Sequence, residues 1–368
     1  AGARLPVSWS PDSQWICYTA VESREPATPT PGWIFAPADV SSDISSVATP
    51  RRNSVSYRIW ATQAVAPLSS ALLEESESPL GSPSWRPDGR AVAYTRFVPI
   101  ETQGPRVRGR FEVILREGLD RKRVLHTEEP VEVDEAGLSS FCESAPAWRR
   151  DGTSIAVIRP GAKMSVLVLD ARTGKLSHTV EDATRPAWSP NGLRLAVVRP
   201  RHEATGRASL ILFDNPLSPS TASSRVLLVE DDILQTPIWT SDGQSILAVY
   251  LKSRVTDNGR GSTQDVLLGR VSAVGRHRIR EWPLGQDSAR APGFTQRADT
   301  RPRSLPGTLD QGRRDGSREL LVDFHPETEE CFYTAEPQGF PSAIVCQNMR
   351  TEITHKRFAP LDLSAPIG

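Results

Sequence analysis

An all-β fold built from six repeated units is predicted by three observations along the 368 residues. Six segments align without gaps around one large aromatic. Each is followed by a short apolar run bounded by turn formers. The shortest distance between two of these aromatics, Trp148 to Trp188, is 40 residues. Four short antiparallel strands in a repeat of about 40 residues is the arithmetic of a β-propeller blade. The chain therefore reads as one six-bladed β-propeller over 1–368, its blades four-stranded and antiparallel, with long loop insertions on one face.

The repeat cores centre on Trp9, Trp85, Trp148, Trp188, Trp239 and Phe324. Two positions before the aromatic stands Pro in four copies: Pro83, Pro146, Pro186 and Pro237. Three positions after it stand Asp12, Asp88, Asp151, Asn191, Asp242 and Glu327, followed by Gly89, Gly152, Gly192 and Gly243 in the four middle copies. An Asp or Asn side chain accepts backbone N–H bonds in a tight turn, and Gly supplies the positive φ beside it. Pro11, Pro87, Pro190 and Pro326 preset φ for that turn. The apolar run that follows, such as 154–158, is too short and too closely bounded for a helix and is expected to be a buried strand. The aromatic itself is expected to be a packing wedge in the core.

Second strands are expected at 57–63, 111–116, 164–170, 209–213, 265–270 and 342–347, and 171–174 forms a turn before a third strand at 175–180. The wider gaps between aromatics hold insertions. The longest, between Trp239 and Phe324, contains an imitation of a core at Phe294, but with no clear strand after it.

The pattern Pro-x-Trp-Ser-Pro-Asp-Gly-x-x-Ile-Ala resembles the TolB-type, WD-repeat-like propeller repeat across essentially the whole chain. It departs at Ser13 and Thr328, which replace Gly, and at Phe324, which replaces Trp. The Gly-His…Trp-Asp motif of true WD repeats is missing, as is the small α/β domain that precedes the propeller in TolB. The resemblance implies a protein-interaction role outside the cytoplasm, and no cofactor is expected.

With strands A to D counted outward in each blade, the aromatic-centred turn joins A to B. Insertions 21–56, 97–110, 129–143, 200–208, 251–264 and 285–319 then fall on the opposite face, and only 214–224 lies elsewhere. Loops at one face of a scaffold are where partners bind. Candidate partner-binding residues there are Arg106, Arg108, Arg110, Arg254, Arg301, Arg303, Arg313 and Arg314, with Arg297 beside the last four. Glu128, Glu129, Glu132, Asp134 and Glu135 give one connection the opposite sign. The two signs either satisfy each other across the central channel or form a dipolar docking surface for a charged protein.

Forty-four basic and 44 acidic residues balance to zero net charge. The arginines lack interleaved aromatics and the acidic loop would repel phosphate, so nucleic acid is not expected as a partner. No apolar run approaches the roughly 18 to 20 residues of a membrane span, so membrane association is expected only through a partner. The start at Ala1, with neither Met nor a leader pattern, is expected to reflect a removed leader or trimmed ends. No nucleophile elbow, phosphate loop or His-Glu-x-x-His occurs. No catalytic, cofactor or metal residue is therefore assigned, although His202 and His277 could approach the elaborated face. If Gln338-Gly339 centres a hairpin, Cys331 and Cys346 lie directly opposite and are either bridged or two buried thiols. The expected function is a non-catalytic scaffold subunit. Two alternatives remain: the substrate-filtering propeller of a prolyl-oligopeptidase-like serine peptidase, and a propeller-fold carbohydrate lyase.

Overall fold

The computed structural model describes residues 7–24, 54–64, 69–103, 106–118, 121–218, 223–255, 262–274, 279–284, 322–325, 330–335, 343–348 and 354–358. The chain divides into two compact units. In the first, Gly2–Pro146 with Pro160–Ala162, one sheet runs β1 (Ser8–Trp9), β2 (Trp15–Arg24), β3 (Ser54–Gln63), β4 (Ser70–Ser76). The next runs β5 (Ser84–Trp85), β6 (Ala91–Gln103), β7 (Arg106–Glu117), β8 (Arg121–Thr127). It gains β9 (Val131–Asp134), which pairs with β7 and leads into α1 (Glu135–Cys142).

The second unit is Ala147–Arg159 with Lys163–Gly368. Its first sheet is β10 (Ala147–Trp148), β11 (Ser154–Arg159), β12 (Ser165–Asp170), β13 (Leu176–Glu181). The second is β14 (Thr184–Trp188), β15 (Arg194–Arg199), β16 (Ala208–Asp214), β17 (Ser223–Glu230). The third has a split inner strand, β18 (Asp232–Ile233) and β19 (Ile238–Trp239), then β20 (Ser245–Val255), β21 (Ser262–Ser272) and β22 (Ile279–Leu284). The fourth is β23 (Val322–His325), β24 (Glu330–Ala335), β25 (Ala343–Asn348), β26 (Thr354–Phe358). The region around Phe294 lies outside the described residues.

One register recurs in every sheet. The repeat aromatic pairs with the residue seven positions on: Trp9 with Ile16, Trp85 with Val92, Trp148 with Ile155, Trp188 with Leu195, Trp239 with Ile246 and Phe324 with Cys331. The turn between them sets this register. Its Asp or Asn carboxyl or amide oxygen accepts the N–H two residues later, at 3.0 Å for Asp12, Asp88 and Asp151, 3.1 Å for Asn191 and 2.9 Å for Asp242. The N–H of Gly89, Gly152, Gly192 and Gly243 closes the turn on the carbonyl three residues back. Those glycines have φ between 65° and 71°, and Ser13 takes the same left-handed conformation at 57°, a region where a β-carbon is disfavoured. Of the prolines two positions before the aromatic, Pro186 lies within β14, and Pro83, Pro146 and Pro237 immediately precede β5, β10 and β19, edge positions where a missing N–H costs no ladder bond.

The core lies between consecutive sheets of each unit. Leu195 and Val197 of β15 pack with Ala156, Ile158, Val166 and Val168 of the preceding sheet. Ala196 and Val198 pack to the other side with Ile246, Ala248 and Tyr250. Successive side chains on a strand point to opposite faces, so covering both faces requires the unbroken apolar runs that mark the repeats. Trp188 and Trp239 are buried in this way, each against the preceding sheet. Trp85 and Trp148 are half-buried, and Trp9 is 51% exposed. The expectation that every aromatic is a core wedge therefore fails at Trp9.

Candidate functional site

The most elaborated end of a sheet is built by β6 and β7. Segment 97–110, expected as a loop insertion, instead continues both strands: Phe97 pairs with Phe111, and pairing extends out to Gln103 with Arg106. A register shift between Pro99 and Glu101 accommodates the proline, which has no N–H for the ladder. Segment 251–264 is likewise carried by strand pairing, from Leu251 with Val266 out to Val255 with Ser262.

The connection 129–143 is also not a loop. Val131–Asp134 adds a fifth strand beside β7, and α1 folds back over the hairpin. Asp134 caps the helix by accepting the Gly137 N–H at 2.7 Å. Phe141 at its far end meets Phe97 and Phe111 edge to face, with ring centroids 6.4 and 6.0 Å away. All three rings are fully buried. Gly109 makes this packing possible, since a β-carbon there would lie 2.5 Å from the Phe97 ring.

Arg106, Arg108 and Arg110 alternate along β7 and all three are exposed, while Gly109 and Phe111 between and beyond them are buried. Acidic residues lie directly alongside: Arg108 is paired with Glu132 on one flank and Glu101 on the other, and Arg106 with Asp134 and Gln103. Arg106 comes within 3.8 Å of Glu132, with both side chains more than half exposed. Such a pair contributes at most about 1 kcal/mol. Both charge signs thus decorate one sheet surface. The side chain of Arg254, and Arg297, Arg301, Arg303, Arg313 and Arg314 entirely, lie outside the described residues.

A second polar centre was not expected from the sequence. Buried Glu74 of β4 accepts from the Tyr94 hydroxyl at 2.8 Å and from Lys122 Nζ at 2.6 and 2.8 Å. Arg96 and Arg116 stand 3.8 and 3.9 Å away. Arg96 is turned mainly toward Glu112, its Nη2 2.7 Å from Oε2. Burial first, and then the Glu74 charge, hold the Tyr94 phenol far above its ordinary value. It stays a hydrogen-bond donor at neutral pH, so the cluster ties β4 to the following sheet.

No protein-family model and no curated protein sequence matches the chain. Solved structures do. The chain is similar to prolyl oligopeptidase B from Galerina marginata, at 12% identity and TM-score 0.51, covering 97% of this chain and 42% of that one. It is also similar to the β-propeller domain of the Trilobed protease from Pyrococcus furiosus, at 8% identity and TM-score 0.49, covering 97% and 82%. TolB from Acinetobacter baumannii matches at 14% identity and TM-score 0.46, covering 94% and 65%. The fold is of the β-propeller kind. The chain spans about two thirds of TolB and less than half of prolyl oligopeptidase B.

His202 sits in an exposed tight turn, where its Nδ1 accepts the Ala204 N–H at 3.2 Å, and His277 lies outside the described residues. Among the described residues, no three His, Cys, Asp or Glu side chains are grouped to hold a metal ion, and no helix is long and apolar enough to cross a membrane. Cys331 pairs with Gln347 and Cys346 with Phe332. The direct Cys331–Cys346 opposition expected from a hairpin centred on Gln338-Gly339 is thus corrected by one residue. Ala335 pairs with Ala343, which leaves the odd-numbered connection 336–342 between the strands.

Proposed function

We propose that the six sheets are the blades of a single six-bladed propeller, and that the chain is a non-catalytic interaction subunit of a larger assembly. The observation that carries this reading is the β6–β7 hairpin. It projects past its sheet, is stiffened by β9 and α1, and presents Arg106, Arg108 and Arg110 in an exposed row beside acidic neighbours. Rows of alternating sign steer and orient a charged protein partner more than they add raw affinity. The TolB-type repeat supports a location outside the cytoplasm, with any membrane association made through the partner.

The test is cross-linking and affinity capture from the native source, repeated with Arg106, Arg108 and Arg110 all replaced by Glu. Loss of one defined partner, with an unchanged melting temperature and a steep salt dependence for the parent protein, supports the reading. A stable enzymatic activity of the purified chain would overturn it. A second reading rests on the 42% coverage of prolyl oligopeptidase B: the chain is the propeller part of a longer peptidase. The full-length gene product separates the two, because that reading requires an α/β-hydrolase domain on the same polypeptide.

A further inference from the structure

Two departures from the repeat meet at one place, at the turn end of the second unit's first two sheets. At the position after the aromatic, three turns carry Ser10, Ser189 or Thr240, whose hydroxyls bond the turn's Asp or Asn. The third turn has Arg149 there, followed by Arg150 where four other copies have Pro. The fourth turn has Asn191 where every other copy has a carboxylate. Arg149, Arg150, Asp151, Pro190, Asn191 and Gly192 together line an open cavity of about 220 Å³.

The chemistry of this cavity is unbalanced. Arg86, at the equivalent place in the second turn, makes two hydrogen bonds to Asp88. Arg149 does not repeat this with Asp151. Asp151 Oδ1 is already taken by the Thr153 N–H and hydroxyl, at 3.0 and 2.8 Å. The Arg149 stem lies against Gly192, whose added β-carbon would fall 3.0 Å from Cγ and 2.6 Å from Nε. In the next turn a proline ring, Pro190, fills that place beside Gly243. Arg149 is left with its buried Nε 3.4 Å from Asp151 Oδ2, an ion pair that lacks the geometry of a hydrogen bond, and that Nε has no hydrogen-bond partner among the described residues. Its side chain is only 23% exposed, so it has given up water without gaining a full partner, an arrangement that an incoming anion would relieve.

We infer that this cavity is a binding site for a carboxylate group, held by Arg149 and Arg150 and admitted because Asn191 carries no charge. Two arginines and Asp151 sum to a single positive charge, which suits a monoanion; a phosphate dianion would meet Asp151 with the charge overfilled. Two or three charge-assisted bonds at a partly open site give weak affinity, on the order of millimolar.

The test is titration of the full chain with sodium acetate at constant ionic strength, read by the ¹⁵N–¹H resonance of Arg149 Nε. A saturable shift is expected, weakened about tenfold by Arg150→Gln and by Asn191→Asp. Asn191→Asp installs the residue other copies carry, so the turn is kept, and a thermal melt confirms that. Inorganic phosphate at the same ionic strength should bind less tightly. A linear, non-saturating shift, an acetate affinity unchanged by Asn191→Asp, or a phosphate affinity equal to or above that of acetate would each overturn the inference.

Discussion

The indole N–H of Trp239 donates to the backbone carbonyl of Ala187 at 3.0 Å, joining the inner strand of one sheet to that of the sheet before it. Ala187 is itself the residue before the preceding repeat aromatic, so two copies of the motif are bonded to each other. Trp239→Phe keeps most of the buried ring and loses this bond, which is expected to cost about 1 kcal/mol. Trp239→Ala also empties the site and should cost about 3 to 5 kcal/mol. Urea unfolding of both variants gives the comparison, and equal losses would show that the indole N–H contributes nothing of its own.

Gly109 offers a sharper steric test. A methyl group there meets the Phe97 ring at 2.5 Å and the Val98 carbonyl at 2.7 Å. The ring is wedged against Phe141 and the carbonyl belongs to the strand, so neither yields easily. Gly109→Ala should destabilise the chain by about 1 to 3 kcal/mol. Protease sensitivity should rise first around α1, where Phe141 depends on the displaced ring. A variant as stable and as resistant as the parent would mean that the hairpin shifts to make room.

These two sites differ in how far the sequence announced them. The repeat turn was legible because its bonds are local: Asp88 reaches an N–H two residues away, and the register of Trp85 with Val92 follows from the turn between them. Strand β9 left a signal that the acidic composition obscured, since Val-Glu-Val-Asp at 131–134 alternates with period two. The cysteine register slipped because a hairpin's centre depends on whether its connection is odd or even in length, which composition does not reveal. Glu74 could not be foreseen. Its partners come from β6, β7 and β8, up to 48 residues away, and no local pattern marks a carboxylate that will be buried among cations. The Arg149 cavity was visible only as two exceptions to a repeat, and the fold was needed to bring them together.

Removing the Glu74 carboxylate should therefore be far more damaging than its place in an outer strand suggests. Glu74→Ala leaves Tyr94, Lys122 and Arg116 without their shared acceptor in a largely buried setting. The expected loss is about 3 to 5 kcal/mol, the range for breaking a buried ion pair from one side. A double-mutant cycle of Glu74→Leu with Tyr94→Phe isolates the hydroxyl bond and should return a coupling of about 1 to 3 kcal/mol. Additive effects would indicate that Lys122 alone satisfies the carboxylate.

Cys17 and Cys142 should be inert while the protein is folded. Both are buried, and loss of water pushes each thiol up to about 12. The thiolate is the reactive form, so iodoacetamide at pH 8 should leave both unmodified in the native state and label both in guanidinium. Peptide mapping reads the two sites separately. Native labelling of Cys142 before Cys17 would reveal local opening of the segment that carries α1.

Asp88 makes the pH dependence of the repeat turn measurable. The Arg86 side chain hydrogen bonds lead the causes that hold its carboxyl down to about 2, from an ordinary value of 3.8. Burial opposes this as the second-largest cause, and the Arg90 N–H and the Arg86 and Arg90 charges add smaller lowering effects. Because the folded value lies below the unfolded one, the unfolded chain binds the proton more readily. The stabilisation is therefore fully present above 3.8 and is lost as pH falls from there through about 2. The Asp88 carboxyl ¹³C titration should show its midpoint near 2, and Arg86→Met should move that midpoint upward. Acid unfolding of Arg86→Met should also lose less stability across the same interval than the parent does. A carboxyl midpoint indifferent to Arg86→Met would transfer the effect to the backbone turn, which all five Asp and Asn copies share.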